Sequence, residues 1–277
     1  FLLTNTFGTA NLLESMRKSG KYSKVIAVSS ATIYGEATYE CKDHGTCYPG
    51  FREKRNLEKN HWEVKCPHCE KDMNPLPIRE DRPLNPGNIY GLSKLDTESI
   101  CINLSRAWGF PTVVFRPFGV FGPGQSLGNP YTGVLALFAT WVFAGQPIRH
   151  YEDGNQRKGY IYIDDAVNAF LCASVMNYEA LLDRNDITLN VASGKGSSVR
   201  EVFSLISHEV EKITGIEGVI NNVAWPKGVN EIEKRNYIAS IELIKSLTGW
   251  EPNVSLEEGI QLLVKHYSKE FVSNEVG

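Results

Sequence analysis

Two short apolar runs, Lys24 to Ser29 and Thr112 to Phe115, constrain the fold of this chain more than any other feature. Both are rich in β-branched residues and neither alternates polar with apolar. A strand of that kind must be covered on both faces, which is the pattern of a parallel strand inside an α/β sheet. The stretch ahead of the second run reads as a long helix from about Ile89 to Trp108, closed by Gly109 and followed by Pro111, the usual punctuation of a helix C-terminus. Residues 3 to 19 read as an amphipathic helix, with Leu12, Leu13 and Met16 opposite Arg17 and Lys18, and Gly20 ends it. From about residue 126 the rhythm changes to longer loops and mixed elements. A helix leads through Val134 to Phe138 and a strand covers Tyr160 to Ile163. A helix with two acids in its first turn starts at Asp164, a strand begins at Leu189, and a capped helix follows Ser198.

With 277 residues, 42% of them apolar, the chain can bury a core large enough for one large domain or two. A formal net charge of -3 supplies no polycation for nucleic acid. The longest apolar run, Val134 to Gly145, is too short to span a bilayer and is broken by Thr140. Asn5, Glu14 and Arg17 interrupt any leader-like apolar segment near the start, so the expectation is a cytoplasmic protein without nucleic-acid or membrane partners.

Residues 36 to 80 break the strand–helix rhythm. They hold four of the six cysteines: Cys41 and Cys47 in Cys-Lys-Asp-His-Gly-Thr-Cys, then Cys66 and Cys69 in Cys-Pro-His-Cys. A Cys-x-x-Cys knuckle facing a second pair is the spacing of a structural zinc site. The second pair of ligands is Cys66 and Cys69. The first is Cys41 with His44 or with Cys47, and spacing favours His44 slightly. A redox pair or incidental thiols are the competing readings. The segment has too few apolar residues to fold without a staple, so zinc leads. A closed four-ligand site is structural, and no catalysis is assigned to it.

Chemistry concentrates in Asn88-Ile-Tyr-Gly-Leu-Ser-Lys94. Four residues apart on a helix, Tyr90 and Lys94 share a face. A phenol ionises near pH ~10 by itself, and a neighbouring ammonium favours the phenolate, which can then exchange protons with a sugar or alcohol hydroxyl. A lone Tyr-x-x-x-Lys match is a weak signal among twelve tyrosines. Its neighbours strengthen it: Val28-Ser-Ser-Ala-Thr-Ile-Tyr-Gly35 before, and Val113-Val-Phe-Arg-Pro-Phe-Gly-Val-Phe-Gly-Pro-Gly-Gln125 after. Together these resemble the extended short-chain dehydrogenase/reductase family of NAD-dependent nucleotide-sugar epimerases and dehydratases. The resemblance covers nearly the whole chain outside residues 36 to 80.

The resemblance implies an α/β fold: a Rossmann-type doubly wound parallel sheet, a smaller mixed substrate domain and a zinc-ribbon-like insertion. Residues 1–125 would be the C-terminal part of the dinucleotide-binding domain, interrupted by 36–80, and residues 126–277 mainly the substrate-binding domain. It implies catalysis by Ser30, Tyr90 and Lys94, and cofactor contacts from Asn5, Ser29, Tyr90, Lys94 and Pro117. It implies substrate contacts from Thr32, Gly119, Asn129, Arg157, Lys158 and Arg235, and a homodimer. The family's Gly-rich strand–turn–helix for the cofactor pyrophosphate is not found and the first residue is Phe1. The expectation is therefore a chain truncated by roughly three βα units, which binds no NAD by itself. Ala31 and Thr32 stand where the family's dehydratases carry Asp-Glu, and its decarboxylases tend to carry a Glu there too. This favours C4 epimerisation through a 4-keto sugar, or ketosugar reduction. The insertion and Asn129-Pro-Tyr-Thr-Gly-Val-Leu-Ala resemble most the dTDP-L-rhamnose 4-epimerase branch. Gly119 replaces a frequent Asn, Lys158-Gly159 an Arg-Asp, and Ser240 an Asp. Such departures suit a shifted substrate or an inactive, cofactor-free relative that acts as a binding protein. NAD against NADP stays open.

Overall fold

The computed structural model describes residues 1–20, 24–126, 133–176, 188–224 and 235–272. The chain starts as a π-helical turn over Leu2–Phe7 that runs into helix α1 (Gly8–Ser19), so the helix expected over 3 to 19 is present with a wider first turn. Gly20 closes it in the left-handed conformation at φ 63°, where a Cβ would be strained. Strand β1 (Val25–Val28) follows and ends at Ser29 and Ser30. The segment 36–80 then forms its own small sheet from β2 (Thr38–Cys41), β3 (Gly45–Cys47) and β4 (Asn74–Leu76), all antiparallel, with a single helical turn α2 (Lys54–Leu57).

Helix α3 (Ile89–Trp108) returns the chain to the main layer. Asn88 caps it, accepting from the Gly91 amide at 2.6 Å, and Gly109 ends it at φ 71°. Strand β5 (Thr112–Pro117) pairs parallel with β1, placing Val28 beside Phe115. A short β6 (Val120–Phe121), helix α4 (Val134–Phe143), β7 (Ile148–His150), β8 (Arg157–Gly159) and β9 (Ile161–Tyr162) come next. Helix α5 (Ile163–Ser174) begins at once, so the strand expected over 160 to 163 is shorter, its last residue taken by the helix. Strand β10 (Thr188–Val191) pairs parallel with the other edge of β5, giving the order β1-β5-β10. Residues past 126 thus contribute to the main sheet as well as to the mixed region. Strand β11 (Gly196–Ser198) leads into helix α6 (Val199–Thr214) through a reciprocal Ser198–Glu201 cap. Strands β12 (Ile220–Asn222) and β13 (Asn236–Tyr237) and helices α7 (Glu242–Thr248) and α8 (Leu256–Val272) complete the described chain.

Burial bears out the second apolar run but not the first: in β1 only Ala27 is buried while Ile26 and Val28 are each 38% exposed, so that strand is covered on one face and not on both. Val113, Val114 and Phe115 are fully buried, Val113 and Phe115 with α5 and α7, and Val114 with Leu13, Cys101 and Phe110. Strand β5 is therefore covered on both faces, as its composition demands. A second core unites α4, α6 and α8. No helix among the described residues is long and apolar enough to cross a membrane.

Candidate active site

The C-terminal ends of β1 and β5 carry the site, the usual place for ligands in an open α/β sheet. Ser30 is extended (φ -157°, ψ 146°) and caps the 3-10 turn Ala31–Tyr34. Its Oγ accepts from the Thr32 amide at 3.1 Å and donates to Thr32 Oγ1 at 3.0 Å. That turn sits against the first turn of α3. A Cβ added to Gly91 would lie 3.3 Å from Thr32 Cγ2 and 3.2 Å from the capping Asn88 Oδ1, so glycine lets turn and helix approach. Tyr90 and Lys94 project from this helix end. The structure therefore brings Ser30, Thr32, Tyr90 and Lys94 onto two touching elements.

Lys94 is half-buried, and burial lowers its ammonium from the usual lysine value. Its Nζ donates to the Val28 carbonyl at 2.7 Å, and no carboxylate among the described residues pairs with it. An ammonium has three donors, so this one retains capacity for a hydroxyl-rich ligand. That is the chemistry a dinucleotide ribose would need, and the residues present fit such a group. Ser29 is tied on both sides: its amide donates to the Phe115 carbonyl at 2.8 Å and its Oγ to the Lys94 carbonyl at 3.3 Å. Asn5 donates to Ser93 Oγ at 3.0 Å and accepts at its carbonyl from Thr97. It borders α3 on the side of Tyr90, whose ring meets Phe1 edge-on at 5.2 Å. Pro117 closes β5.

The residues assigned to substrate spread more widely. Gly119 is held by backbone packing, since a Cβ there would fall 2.3 Å from the Gly159 carbonyl oxygen. Gly119 and Gly159 thus face each other. Arg157 is exposed and donates to the Gly196 carbonyl at 2.8 Å, with Lys158 half-buried beside it on β8. Arg235 is buried and its guanidinium is taken up by carboxylates: Asp153 at 2.6 and 2.9 Å and Glu63 at 2.6 Å. Burial alone would lower the Asp153 carboxyl's charged fraction, yet Arg235 holds its pKa down to about 2. Asn129 lies outside the described residues.

Two ionic clusters had no counterpart in the sequence reading. Arg116 and Glu98 form a buried pair under Tyr34, whose hydroxyl accepts from Arg116 at 2.7 Å and donates to Asn190 at 2.7 Å. Arg52 of the insertion makes two parallel bonds to Glu152 at 3.1 and 3.0 Å. The signal for the first was available, because Arg116 interrupts a run otherwise buried on both faces.

The four metal-ligand candidates converge. One ligand atom each from Cys41, His44, Cys66 and Cys69 lies within 4.8 Å of all the others. Bonds of about 2.3 Å to sulfur and about 2.0 Å to nitrogen at tetrahedral angles give S–S separations of about 3.8 Å and S–N of about 3.5 Å. The protein has Cys41 Sγ 3.6 Å from Cys69 Sγ and 3.5 Å from His44 Nδ1, with Cys66 Sγ 3.7 Å from His44 Nδ1. His44, not Cys47, joins this group. Cys47 donates to the Gly45 carbonyl and burial pushes its thiol up. The Cys66 thiol is opposed by desolvation but pulled down to about 7 by the backbone amides of His68 and Cys69.

Residues 68–185 match the family model described as the NAD dependent epimerase/dehydratase family. The chain is similar to the dTDP-L-rhamnose 4-epimerase of Burkholderia thailandensis, at 32% identity over 93% of this chain and 66% of the relative. It is also similar to a putative UDP-glucose 4-epimerase of Methanocaldococcus jannaschii, at 29% identity over 94% of this chain and 68% of that one. The solved UDP-glucose 4-epimerase of Thermotoga maritima, in complex with UDP-glucose, superposes with a TM-score of 0.71 at 27% identity, over 96% of this chain and 70% of that one. The chain thus spans about two thirds of the length of these curated relatives.

Proposed function

Because this chain belongs to the NAD dependent epimerase/dehydratase family, we propose that it carries the catalytic residues of a nucleotide-sugar 4-epimerase. The observation that carries this reading is the meeting of the Ser30–Thr32 turn with the Tyr90–Lys94 helix end, beside a half-buried ammonium with donors to spare. Tyr90, as phenolate, takes the proton of the sugar 4-hydroxyl, and Ser30 hydrogen-bonds the same oxygen. Lys94, one turn further along the same helix, would use its remaining donors to hold a ribose hydroxyl of the cofactor. NAD, when bound, supplies the acceptor and then the donor of the C4 hydride. By the resemblance, Asn5, Ser29 and Pro117 would border the cofactor, and Thr32, Gly119, Arg157 and Lys158 the sugar nucleotide. Arg235 reaches it only by exchanging a carboxylate for a phosphate.

Ala31 and Thr32 supply no carboxylate for elimination or decarboxylation, which supports epimerisation within a family whose relatives include a decarboxylase and reductases. The resemblance to the dTDP-L-rhamnose 4-epimerase supports a dTDP-hexose as substrate. The test is incubation of protein in which this sequence is preceded by the family's pyrophosphate-binding βα units with NAD and a panel of dTDP- and UDP-hexoses, following isomer ratio by chromatography. Interconversion of C4 epimers without net cofactor turnover is the expected result. Stoichiometric consumption of reduced cofactor would assign a ketosugar reductase instead.

The near-tetrahedral separations among Cys41, His44, Cys66 and Cys69 support a structural zinc ion held by these four side chains. It would staple the small sheet of residues 36–80 and take no part in the chemistry.

A further inference from the structure

The Cys/His module is built onto the candidate active site. The apolar cluster around Cys41, Cys47 and Cys66 also contains Ala31 and Tyr34 of the Ser30 turn, and Phe118 just beyond β5. A second connection runs through the buried Arg82. The Arg82 guanidinium lies over the Tyr48 ring at 5.5 Å and donates to the carbonyls of Tyr34 and Ala37 at 2.8 and 3.3 Å. Three residues after Tyr48, Phe51 lies directly on Gly87. A Cβ at Gly87 would be 2.3 Å from the ring's Cζ and 2.7 Å from its Cε1, so only glycine accepts this seating.

Phe51 remains 43% exposed, so core burial does not account for its place. What it touches does. Gly87 precedes Asn88, whose side chain accepts from the Gly91 amide at 2.6 Å and whose carbonyl accepts from Leu92 at 2.9 Å. Tyr90 lies inside that first turn. Helix ends open locally at low free energy, and a ring seated on the residue before the cap opposes that opening. The ring itself is anchored from behind. Its neighbour Arg52 is buried, bonded once to the Trp62 carbonyl at 3.1 Å within the module of the metal ligands and twice to Glu152 outside it.

We propose that Phe51 is a positioning residue, through which the Cys/His module fixes the cap of the helix that carries Tyr90 and Lys94. The proposal rests on the reading of that helix as catalytic and of the four ligands as a zinc site. It adds that the two are coupled, with the metal module setting the order of the helix turn that presents the tyrosine.

Hydrogen exchange followed by mass spectrometry over residues 86–94 tests it, in zinc-loaded and chelator-treated protein. Phe51→Ala should speed exchange of the Gly91 and Leu92 amides about tenfold, while zinc content and exchange in α6 stay unchanged. Phe51→Tyr keeps the ring and should restore the slow exchange. Gly87→Ala should act like Phe51→Ala in the native background but add nothing to it, since the clash it creates is then gone. Removing zinc should speed the same two amides in native protein and have little further effect in Phe51→Ala. Unchanged exchange at Gly91 and Leu92 in Phe51→Ala overturns the proposal. Metal analysis separates its failure from that of the zinc reading: zinc bound, but released without effect on these amides, refutes the coupling alone. Protein that never holds zinc refutes the metal reading and the coupling together.

Discussion

Replacing Arg116 by Met should destabilise this protein more than most single substitutions. The Arg116 Nε donates to Glu98 Oε2 at 3.0 Å and a second nitrogen bonds the other carboxylate oxygen. A third donates to the Tyr34 hydroxyl at 2.7 Å and the Glu80 carbonyl at 3.0 Å. Both charged side chains are buried. Burial alone would lower the guanidinium's pKa, and the hydrogen bond to Glu98 more than reverses it. Methionine fills much of the volume but leaves the Glu98 carboxylate without a cation. Breaking a buried pair from one side costs about 3–5 kcal/mol. For a chain of this size that is a fall in Tm of roughly 5–9 °C. Urea unfolding followed by circular dichroism measures it. The companion Arg116→Met/Glu98→Leu removes the orphaned charge and should recover most of the loss. A cost for Arg116→Met under about 1 kcal/mol, the range of exposed pairs, would refute the reasoning. So would a double variant less stable than the single.

Purified protein kept reduced and free of chelator should contain about one zinc per chain, and Cys66→Ser with Cys69→Ser should abolish it, as mass spectrometry under native conditions would show. Cys47→Ser should leave zinc content unchanged, because Cys47, though packed beside Cys41 and Cys66, is not one of the four converging ligands and turns its thiol to the Gly45 carbonyl. Asp153, depressed to about 2 by Arg235, has a folded pKa below the unfolded value of about 3.9. Its contribution is complete above the unfolded value and is lost as pH falls toward 2, so Asp153→Asn should flatten the pH dependence of stability between about pH 4 and 2. An acid-unfolding curve identical to the native one would refute that linkage.

Much of this arrangement is legible in the sequence because it rests on local chemistry. Helix α3 is announced by its cap, its closing glycine and the proline beyond, and it occupies Ile89–Trp108 as read. The unbroken apolar character of Thr112 to Phe115 identified a strand covered on both faces. Cysteine spacing gave the metal candidates, but the choice of His44 over Cys47 required the fold. The tight β2–β3 turn holds His44 near Cys41, whereas Cys47 is turned to the Gly45 carbonyl. Long-range polar pairing was not legible. Glu63 meets Arg235 across 172 residues and Arg52 meets Glu152 across 100, and no local pattern couples such positions. Arg235 shows the consequence: a residue that resemblance assigns to substrate is surrounded by carboxylates that no motif reports.

The central claim is that Tyr90 moves the proton at the sugar C4 oxygen, and replacing it by phenylalanine tests this most directly. In the protein carrying this sequence, supplied with NAD and the dTDP- or UDP-hexose it turns over, the ratio of C4 epimers is followed with time. Tyr90→Phe should slow interconversion by about 10²-fold or more, because the ring's packing against Phe1 survives and only the hydroxyl is lost. Affinity for NAD should hold, and Ser30→Ala should be milder. Turnover by Tyr90→Phe close to that of the native protein would contradict the account.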